Sequence, residues 1–525
     1  MKNAAGVKRK GNQNMNKQFL KNRRAKYGGI SVLLTILLLI CVLLANALFG
    51  TLAARYGWTV DLHPVQTFPV GETSAVLINE ALRFAENNVQ IHFCDSPENL
   101  EQGSLVSYVY ETAKQFSERD NRIEIVYHDI LLDPESVGEY LTSTVIDTKT
   151  GTETTQTITL QKTSVIVTSG EKHRVYSIGE FFQYENGDSV PTAYAGEKKL
   201  TAAILRATAL GAPVACLTNN HGEAYYDTEL LSILDDAGYD LRGIDLTQSE
   251  IPSDCDLIVC FNPNKDLAAE NGISAVSERK ILDDFLAIPG HSLLVFLESG
   301  TPQLPEWDAY LSEWGISPCY AKDSETEYRY RVRDELGSLT SDGYTVLGKY
   351  SENELAEELM QNISQTPVFS GATGFRVASG FVPSANGSYQ KGDRRVAVFY
   401  ESGSGAVSYA NGKAVDADPV GLIAYADQTV FGGTSRIGVI CSVDFAAAEW
   451  LQPSAYGNAE ILFRIFETTS GVRNVGHIPA VPFPSSVMHG LTRGARIGWT
   501  LLLVFAPAVI VASVAVPVLL RRKHD

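Results

Sequence analysis

The sequence is poor in the residues and motifs on which most enzymatic chemistry depends. It has 7 cysteines in 525 residues, an odd number, and no Cys-x-x-Cys pair or His/Cys cluster with metal-site spacing. It also has no P-loop lysine motif and no Gly-x-Ser-x-Gly or Gly-x-Cys-x-Gly turn. These absences argue against a disulfide framework, a metal centre, ATP hydrolysis and a hydrolase nucleophile. Gly432-Gly433 is not a dinucleotide fingerprint, so no cofactor is predicted.

The cysteines that are present lie in apolar, strand-like runs. Cys94, Cys216 and Cys441 are predicted to be small buried hydrophobes, which is the usual role of a cysteine in such a run. Cys255 and Cys260 are too far apart along an extended segment to form a disulfide.

Two long uncharged runs, at 30–50 and 498–520, stand out against the polar remainder. About 20 apolar residues at roughly 1.5 Å each cross a hydrocarbon core of about 30 Å. Both runs are therefore predicted to be transmembrane helices. A cleaved signal peptide is the alternative for the first run, because Ala45-Asn46-Ala47 resembles a cleavage site, but the run is longer than a usual signal-peptide core.

Basic residues flank the two runs on their outer sides. Nine lysines and arginines and no acid precede the first run, and Arg521, Arg522 and Lys523 follow the second. Because Lys and Arg near membrane ends stay cytoplasmic, residues 1–29 and 521–525 are predicted to be cytoplasmic tails and the large domain between the spans to be extracytoplasmic.

That large domain is acidic. The whole chain has a formal net charge of −18 although both tails are basic. An acidic body argues against nucleic acid or anionic lipid as a partner, although solubility alone would also account for the charge.

The first part of the body, 51–190, alternates strands and helices. A strand at 89–94, a helix at 105–116, a strand at 123–127 and a short helix at 134–141 precede a hairpin over 163–178. This order is that of a thioredoxin-like domain, but Cys94-Asp95-Ser96-Pro97 has only one cysteine where a redox motif would lie. The domain is therefore predicted to be a scaffold.

The second part, 191–476, begins with an amphipathic helix at 197–209 and continues as strands alternating with helices. Strands separated by helices of this length predict a parallel, doubly wound sheet. A β-rich insertion is predicted at about 328–410, with pairing that the sequence leaves open, and a proline-rich linker at 477–497.

Polar residues follow three of the predicted parallel strands, and ligands in such sheets bind beyond the carboxyl ends of the strands. The candidate ligand-binding residues are therefore Asn219, His221, Glu223, Asn262 and Glu298. His221 and Glu223 could act as a base pair or bind a cation. The alternative, which we favour, is that the Asn and Glu side chains satisfy helix N-terminal amides and that His221 is solvated. No catalytic or metal-binding residue is predicted.

In their order along the chain, several short motifs resemble the auxiliary, substrate-binding-like component of gliding-motility-type ABC transport systems. They are Thr73-Ser74 before a helix that Ser74 can cap, 196–204 (GEKKLTAAI), His221-Gly222-Glu223, 256–259 (DLIV) with Asn262-Pro263, and Tyr456-Gly457-Asn458, between the two spans. The chain departs from this pattern at 288–291 (IPGH), where the family has a Gly-rich turn.

The resemblance implies a second domain related to catalytically inactive class I amidotransferase-like folds. It also implies partnership with a separate ABC permease and an ATP-binding subunit. The expected function is a non-enzymatic subunit that presents an unidentified extracellular ligand or couples permease motion to the outside. Two alternatives stay open: a cell-surface hydrolase or amidase that uses His221 and Glu223, and an envelope scaffold without a ligand.

Overall fold

The computed structural model describes most of the chain between residues 68 and 483. The described residues are 40, 44 and 68–483 without 103, 148–152, 185–189, 210–211, 224, 226–228, 248–250, 269–276, 324–325, 361–362, 364, 453–454, 471–474 and 477. Apart from residues 40 and 44, the predicted tails and membrane runs lie outside this range, as does the linker beyond residue 483. Within the described residues, no helix has the length and apolar character that crossing a membrane requires.

The elements up to residue 194 confirm the alternation expected from the sequence. They are α1 (Glu72–Phe84), β1 (Val89–Phe93), α2 (Pro97–Leu100), α3 (Leu105–Arg119), β2 (Ile123–Tyr127), a 3₁₀ helix (Pro134–Tyr140), β3 (Thr142–Ile146), β4 (Glu153–Thr157), β5 (Val165–Ser169), β6 (Lys172–Tyr176), a second 3₁₀ turn (Ile178–Phe181), β7 (Phe182–Tyr184) and β8 (Pro191–Tyr194).

The elements that follow form the larger part of the molecule. They are α4 (Gly196–Thr208), β9 (Val214–Thr218), α5 (Leu230–Asp236), β10 (Asp240–Ile244), β11 (Cys255–Phe261), α6 (Glu278–Leu286), β12 (Ser292–Phe296), α7 (Pro305–Glu313), β13 (Ile316–Pro318), β14 (Tyr320–Asp323), β15 (Thr326–Arg329), β16 (Arg331–Arg333), β17 (Thr345–Leu347), β18 (Lys349–Tyr350), α8 (Glu354–Leu359), β19 (Val368–Ser370), β20 (Phe375–Val377), β21 (Val382–Pro383), β22 (Tyr389–Lys391), β23 (Arg394–Glu401), β24 (Val407–Ala410), β25 (Lys413–Asp416), β26 (Gly421–Val430), β27 (Gly433–Ile440), a 3₁₀ turn (Asp444–Ala446), α9 (Ala448–Leu451), α10 (Asn458–Ser470) and β28 (Val481–Pro482).

The first sheet has four strands in the order β2-β1-β5-β6. Strands β1 and β2 are parallel, and β5 joins β1 antiparallel and closes a hairpin with β6. Helices α1, α3 and α4 cover one face, where the core includes Ile78, Val109 and Leu200. A small cluster with Cys94 and Tyr140 covers the other face.

Five parallel strands in the order β10-β9-β11-β12-β27 form the centre of the second sheet. Numbered along the chain this order is 2-1-3-4-5, one of the two common orders of doubly wound sheets. Helices α5 and α10 pack on one face, through residues such as Leu230 and Phe466. Helices α6 and α7 pack on the other, through residues such as Phe285 and Trp307. The prediction of a parallel sheet with both faces buried is confirmed.

The β-rich region extends this sheet and adds small sheets beside it. Strand β26 pairs antiparallel with β27 and β23, and β22 and β21 continue to the edge. Three further sheets are separate: β14 with β15, β16 with β24 and β25, and β17 with β19.

Helix α4 contributes to two cores. Its Leu200 and Ile204 lie in the core of the first sheet, whereas Ala202 lies in a core of the second. Residues 68–483 accordingly belong to one compact unit.

One helix start differs from the prediction. Helix α1 begins at Glu72, so Ser74 is a buried residue of its first turn and not its cap. The Ser74 hydroxyl donates to Oε1 of Glu197 at 2.5 Å, and the amide of Gly71 donates to the same oxygen at 2.7 Å. A distant acid therefore takes the capping role that the sequence assigned to a local serine.

Candidate functional site

The three predicted strand ends lie at one edge of the second sheet. Strands β9, β11 and β12 are parallel neighbours, with Leu217 opposite Val259 and Phe261 opposite Phe296. The loops that follow them therefore leave the same edge, as the parallel arrangement requires.

His221, in the loop after β9, is held between two carboxylates. Its Nε2 lies 3.1 Å from Oε1 of Glu278, and its Nδ1 lies 3.4 Å from Oε1 of Glu223. The contact with Glu223 is an ion pair without hydrogen-bond geometry, since Nδ1 has no hydrogen-bond partner among the described residues. His221 is only 2% exposed, and both carboxylates are buried. The prediction of a solvated His221 is therefore wrong.

These contacts set the charge of the imidazole. Burial by itself would lower the pKa of His221, but Glu223 and Glu278 outweigh it and raise the pKa to about 9. Burial would raise the pKa of Glu223, but its interactions with His221 and Thr218 lower it. At neutral pH the cluster therefore holds an imidazolium.

Glu223 also fixes the loop in which it lies. Its Oε2 accepts a hydrogen bond from the amide of His221 at 2.7 Å, and its Oε1 accepts one from the hydroxyl of Thr218. The prediction that Glu223 satisfies backbone amides is correct in kind, but the amide belongs to the loop and not to a helix end.

The thiol of Cys260, near the end of β11, lies next to this cluster. Its Sγ lies 3.7 Å from Oε1 of Glu223. Burial, followed by the charge of Glu223, raises the pKa of the thiol far above its ordinary value. Each of the six cysteines from Cys94 to Cys441 that the structure describes is buried and free of disulfides. The predicted burial of Cys94, Cys216 and Cys441 is confirmed.

Asn262 and Glu298 form a second cluster at the ends of β11 and β12. Nδ2 of Asn262 donates to Oε1 of Glu298 at 2.9 Å. The hydroxyl of Thr301 donates to Oδ1 of Asn262 and accepts from the amide of Glu298, each at 2.8 Å. Burial, with a contribution from Asp444, raises the pKa of Glu298. This network fixes the start of the loop 298–303.

Asn219 contacts neither cluster through its backbone amide. That backbone N–H donates to the carbonyl of Ile244 at 3.1 Å and so joins the loop to the end of β10. The five predicted residues thus lie along one edge but divide into a His221 cluster, an Asn262 cluster and a link to β10.

Sequence reasoning missed Glu278. Glu278 is followed by Arg279 and Lys280, a run of charges typical of an exposed helix face, yet it is only 1% exposed. Its Oε2 accepts from the amide of Ala268, so the start of α6 turns into the sheet edge. An acid immediately after a capping Ser277 was the available signal, but it also fits an ordinary first helical turn.

Among the described residues, no group of three or more His, Cys, Asp or Glu side chains is arranged so that it could hold a metal ion.

No family model matches the chain, and no curated protein matches it. Two solved structures show partial likeness. The mmIFT52 N-terminal domain is 14% identical, with 49% of this chain and 98% of that chain covered and a TM-score of 0.35. Cytoplasmic Protein STM3548 from Salmonella typhimurium is 12% identical, with 51% and 99% covered and a TM-score of 0.27.

Proposed function

We propose that the chain is a non-enzymatic, extracytoplasmic auxiliary subunit of an ABC transport system. In this proposal the body is anchored at 30–50 and 498–520, and its cytoplasmic ends lie beside a separate permease and ATP-binding subunit. The body binds an extracellular ligand or couples permease motion to the outside.

The first sheet supports the thioredoxin-like part of this proposal. A parallel β1–β2 pair joined by α3, followed by the β5–β6 hairpin and α4, has the element order expected of that domain. The position of a redox motif is occupied by Cys94, whose thiol is buried and has its pKa raised to about 11 by burial and Asp95. A thiol of that kind is a poor nucleophile at neutral pH.

The second sheet supports relation to an inactive amidotransferase-like fold. Its 2-1-3-4-5 order, with helices on both faces, suits such a domain. The residues at its strand ends are engaged with one another: His221 with two glutamates, and Asn262 with Glu298 and Thr301.

The state of His221 is the observation that carries the non-enzymatic proposal. A general base must be unprotonated near the working pH and within reach of a substrate proton. His221 is buried, and its pKa of about 9 keeps it protonated at pH 7. Cys260, beside Glu223, is buried as a neutral thiol. The cluster is therefore suited to holding two loops together.

Purification of the full chain from membranes tests the partnership. At native expression and in mild detergent, a tagged chain should recover a P-loop ATPase and a multi-span permease, and an unrelated two-span membrane protein with the same tag should recover neither. Reporter fusions should place both ends in the cytoplasm. The proposal would be refuted if neither subunit co-purified with the chain or if a reporter placed a terminus outside the cell.

The hydrolase alternative is tested on the same chain. His221→Ala and Glu223→Ala variants are compared with the parent for activity on cell-envelope fractions, with folding checked by circular dichroism. An activity that disappears in folded variants would favour the enzyme over the auxiliary subunit.

A further inference from the structure

A cavity of about 290 Å³ lies beside the Asn262 cluster and contains none of the predicted ligand-binding residues among the residues that line it. The loop 299–303 forms one side. Tyr328, Arg329 and Arg331 from β15 and β16, with Tyr344 and Tyr409, are among the residues that form the rest. The cavity thus lies at the same sheet edge but is completed by the β-rich region.

Arg329 is a buried cation with an unused donor. It is 5% exposed, and its Nε donates to the carbonyls of Thr301 and Pro302 at 3.1 and 3.3 Å. Its Nη2 donates to Asp308 at 3.0 Å. Its Nη1 is buried and has no hydrogen-bond partner within the part of the chain that the structure describes. A buried donor without an acceptor is costly, and a bound oxyanion would supply one.

Arg331 carries the second positive charge. Its guanidinium lies 3.8 Å from the centroid of the Tyr344 ring, in a cation–π contact. The guanidinium makes no hydrogen bond or close ion pair with a described residue, although it interacts electrostatically with Asp342. By contrast, Arg329 pairs with Asp308 and Arg333 with Glu335. Arg331 is exposed, so it is a fixed, accessible charge at the cavity.

The acidic residue in the lining, Glu327, is partly engaged. Its Oε2 accepts from Nε2 of Gln303 at 2.6 Å. The chain as a whole has a net charge of −18, which does not favour long-range attraction of an anion. Affinity for an anion must therefore come from the two arginines at close range.

The shape of the lining indicates the rest of the ligand. Three tyrosines with apolar rings and polar tips line the cavity, although the Tyr344 ring already stacks with Arg331. The loop 299–303 contributes hydroxyl and amide groups. A volume near 290 Å³ is at the small end of ligand sites. A ring with hydroxyl groups and one oxyanion matches this set of groups.

We propose that this cavity binds an acidic sugar, through a carboxylate or phosphate held by Arg329 and Arg331 and a ring placed among the tyrosines. The proposal rests on the auxiliary ligand-binding function above and names its ligand class. Asn262 and Glu298 act as positioning residues, because they hold Thr301, whose carbonyl accepts from Arg329.

Calorimetric titration of the full chain in detergent at pH 7 tests the proposal with glucuronate, glucose 6-phosphate and glucose. At least one acidic sugar should bind with a Kd below about 1 mM and about tenfold or more tighter than glucose. The preferred acid distinguishes a carboxylate site from a phosphate site.

Arg331→Gln should weaken binding of the preferred acid about tenfold and leave glucose nearly unchanged, because it removes one charge-assisted contact. Arg331→Lys keeps the positive charge but lacks the planar guanidinium. Its affinity for the preferred acid should lie between those of the parent and the Arg331→Gln variant. Arg83→Gln is the matched control, since it removes an exposed arginine of α1. Unchanged urea midpoints establish that each variant folds.

Three results would overturn the inference: glucose binding as tightly as both acids, equal binding by the Arg331→Gln and Arg83→Gln variants, or no binding of any of the three sugars. Recovery of the ATPase and permease is a separate measurement. If those subunits co-purify and sugar binding fails, only the ligand class is lost.

Discussion

The charged state of His221 makes a quantitative prediction about stability above neutral pH. The pKa of His221 is about 9 in the folded chain, against 6.5 for an unperturbed histidine. Because the folded pKa is the higher one, the stabilisation is complete below pH 6.5 and is lost as the pH rises through 9. The difference corresponds to about 3 kcal/mol of unfolding free energy.

The test replaces His221 with glutamine (His221→Gln). The unfolding free energies of the parent and the variant are measured by urea denaturation of the full chain at several pH values between 6 and 9.5. Trp307 provides a fluorescence signal near the site, with its ring centroid 6.5 Å from that of His221. Over this pH range the parent should lose about 3 kcal/mol of unfolding free energy as His221 deprotonates. The variant lacks this group and should lose little. The stability difference between them should therefore shrink as the pH rises.

Two further variants serve as controls for this result. His173→Gln replaces an exposed histidine and should keep the slope of the parent. Glu278→Gln keeps an acceptor for the Ala268 amide but removes one charge next to His221, so its slope should be intermediate. Equal losses in the parent and in His221→Gln would refute the ion-cluster reasoning.

Three other predictions concern different parts of the fold. Asn458→Ala should lower the unfolding free energy, measured by urea denaturation, by about 3 kcal/mol. The Asn458 side chain is fully buried and forms hydrogen bonds with both the backbone N–H and the carbonyl of Val368, each at 2.8 Å. Replacing the exposed Asn264 with alanine should change the unfolding free energy by less than about 1 kcal/mol. The Cys260 thiol should resist maleimide at pH 7.5 until urea unfolds the chain, since it is buried with a raised pKa, and rapid native labelling would count against an inert site. Burial lowers the pKa of His92 to about 4, so stability should fall by about 3 kcal/mol between pH 6.5 and 4, a loss that His92→Gln should lack and that urea titration in acid measures.

Local periodicity accounts for what the sequence predicts well. The helix at Leu105–Arg119 has its apolar residues at helical spacing, and the strands Val214–Thr218 and Ser292–Phe296 are short apolar runs between turns. Each of these signals lies within the element itself, so no knowledge of distant contacts is needed.

Pairing within the β-rich region is different, because the partners are distant in sequence. Strand β23 pairs with β26 and extends the parallel sheet, whereas β16 pairs with β24 more than seventy residues away. Alternating short segments predict strands but do not choose among partners, which register and side-chain packing decide.

At the candidate site, the sequence predicted some features correctly and could not predict others. The rule that parallel strands end at one edge brought His221 and Asn262 to the correct place in the fold. It could not reveal that Glu278, 57 residues further along, completes the ion cluster. It also could not reveal the cavity, because Arg331 and Tyr409 meet only through the small sheet that β16, β24 and β25 form.

Burial decides how the histidine at the strand end is interpreted. In the sequence, His221 followed two residues later by Glu223 could be a base pair or a cation site, but the pattern favours a solvated histidine beside a glutamate that satisfies helix amides. In the fold, a second carboxylate from α6 closes the site, the imidazole is 2% exposed, and its pKa rises to about 9. Two acids around one base favour the protonated form more strongly than burial opposes it. A charged histidine that is buried away from solvent can hold loops together but is not available to a ligand. Our proposal therefore assigns ligand binding to the neighbouring cavity. There the guanidinium of Arg331 is exposed and forms no close ion pair with a described residue.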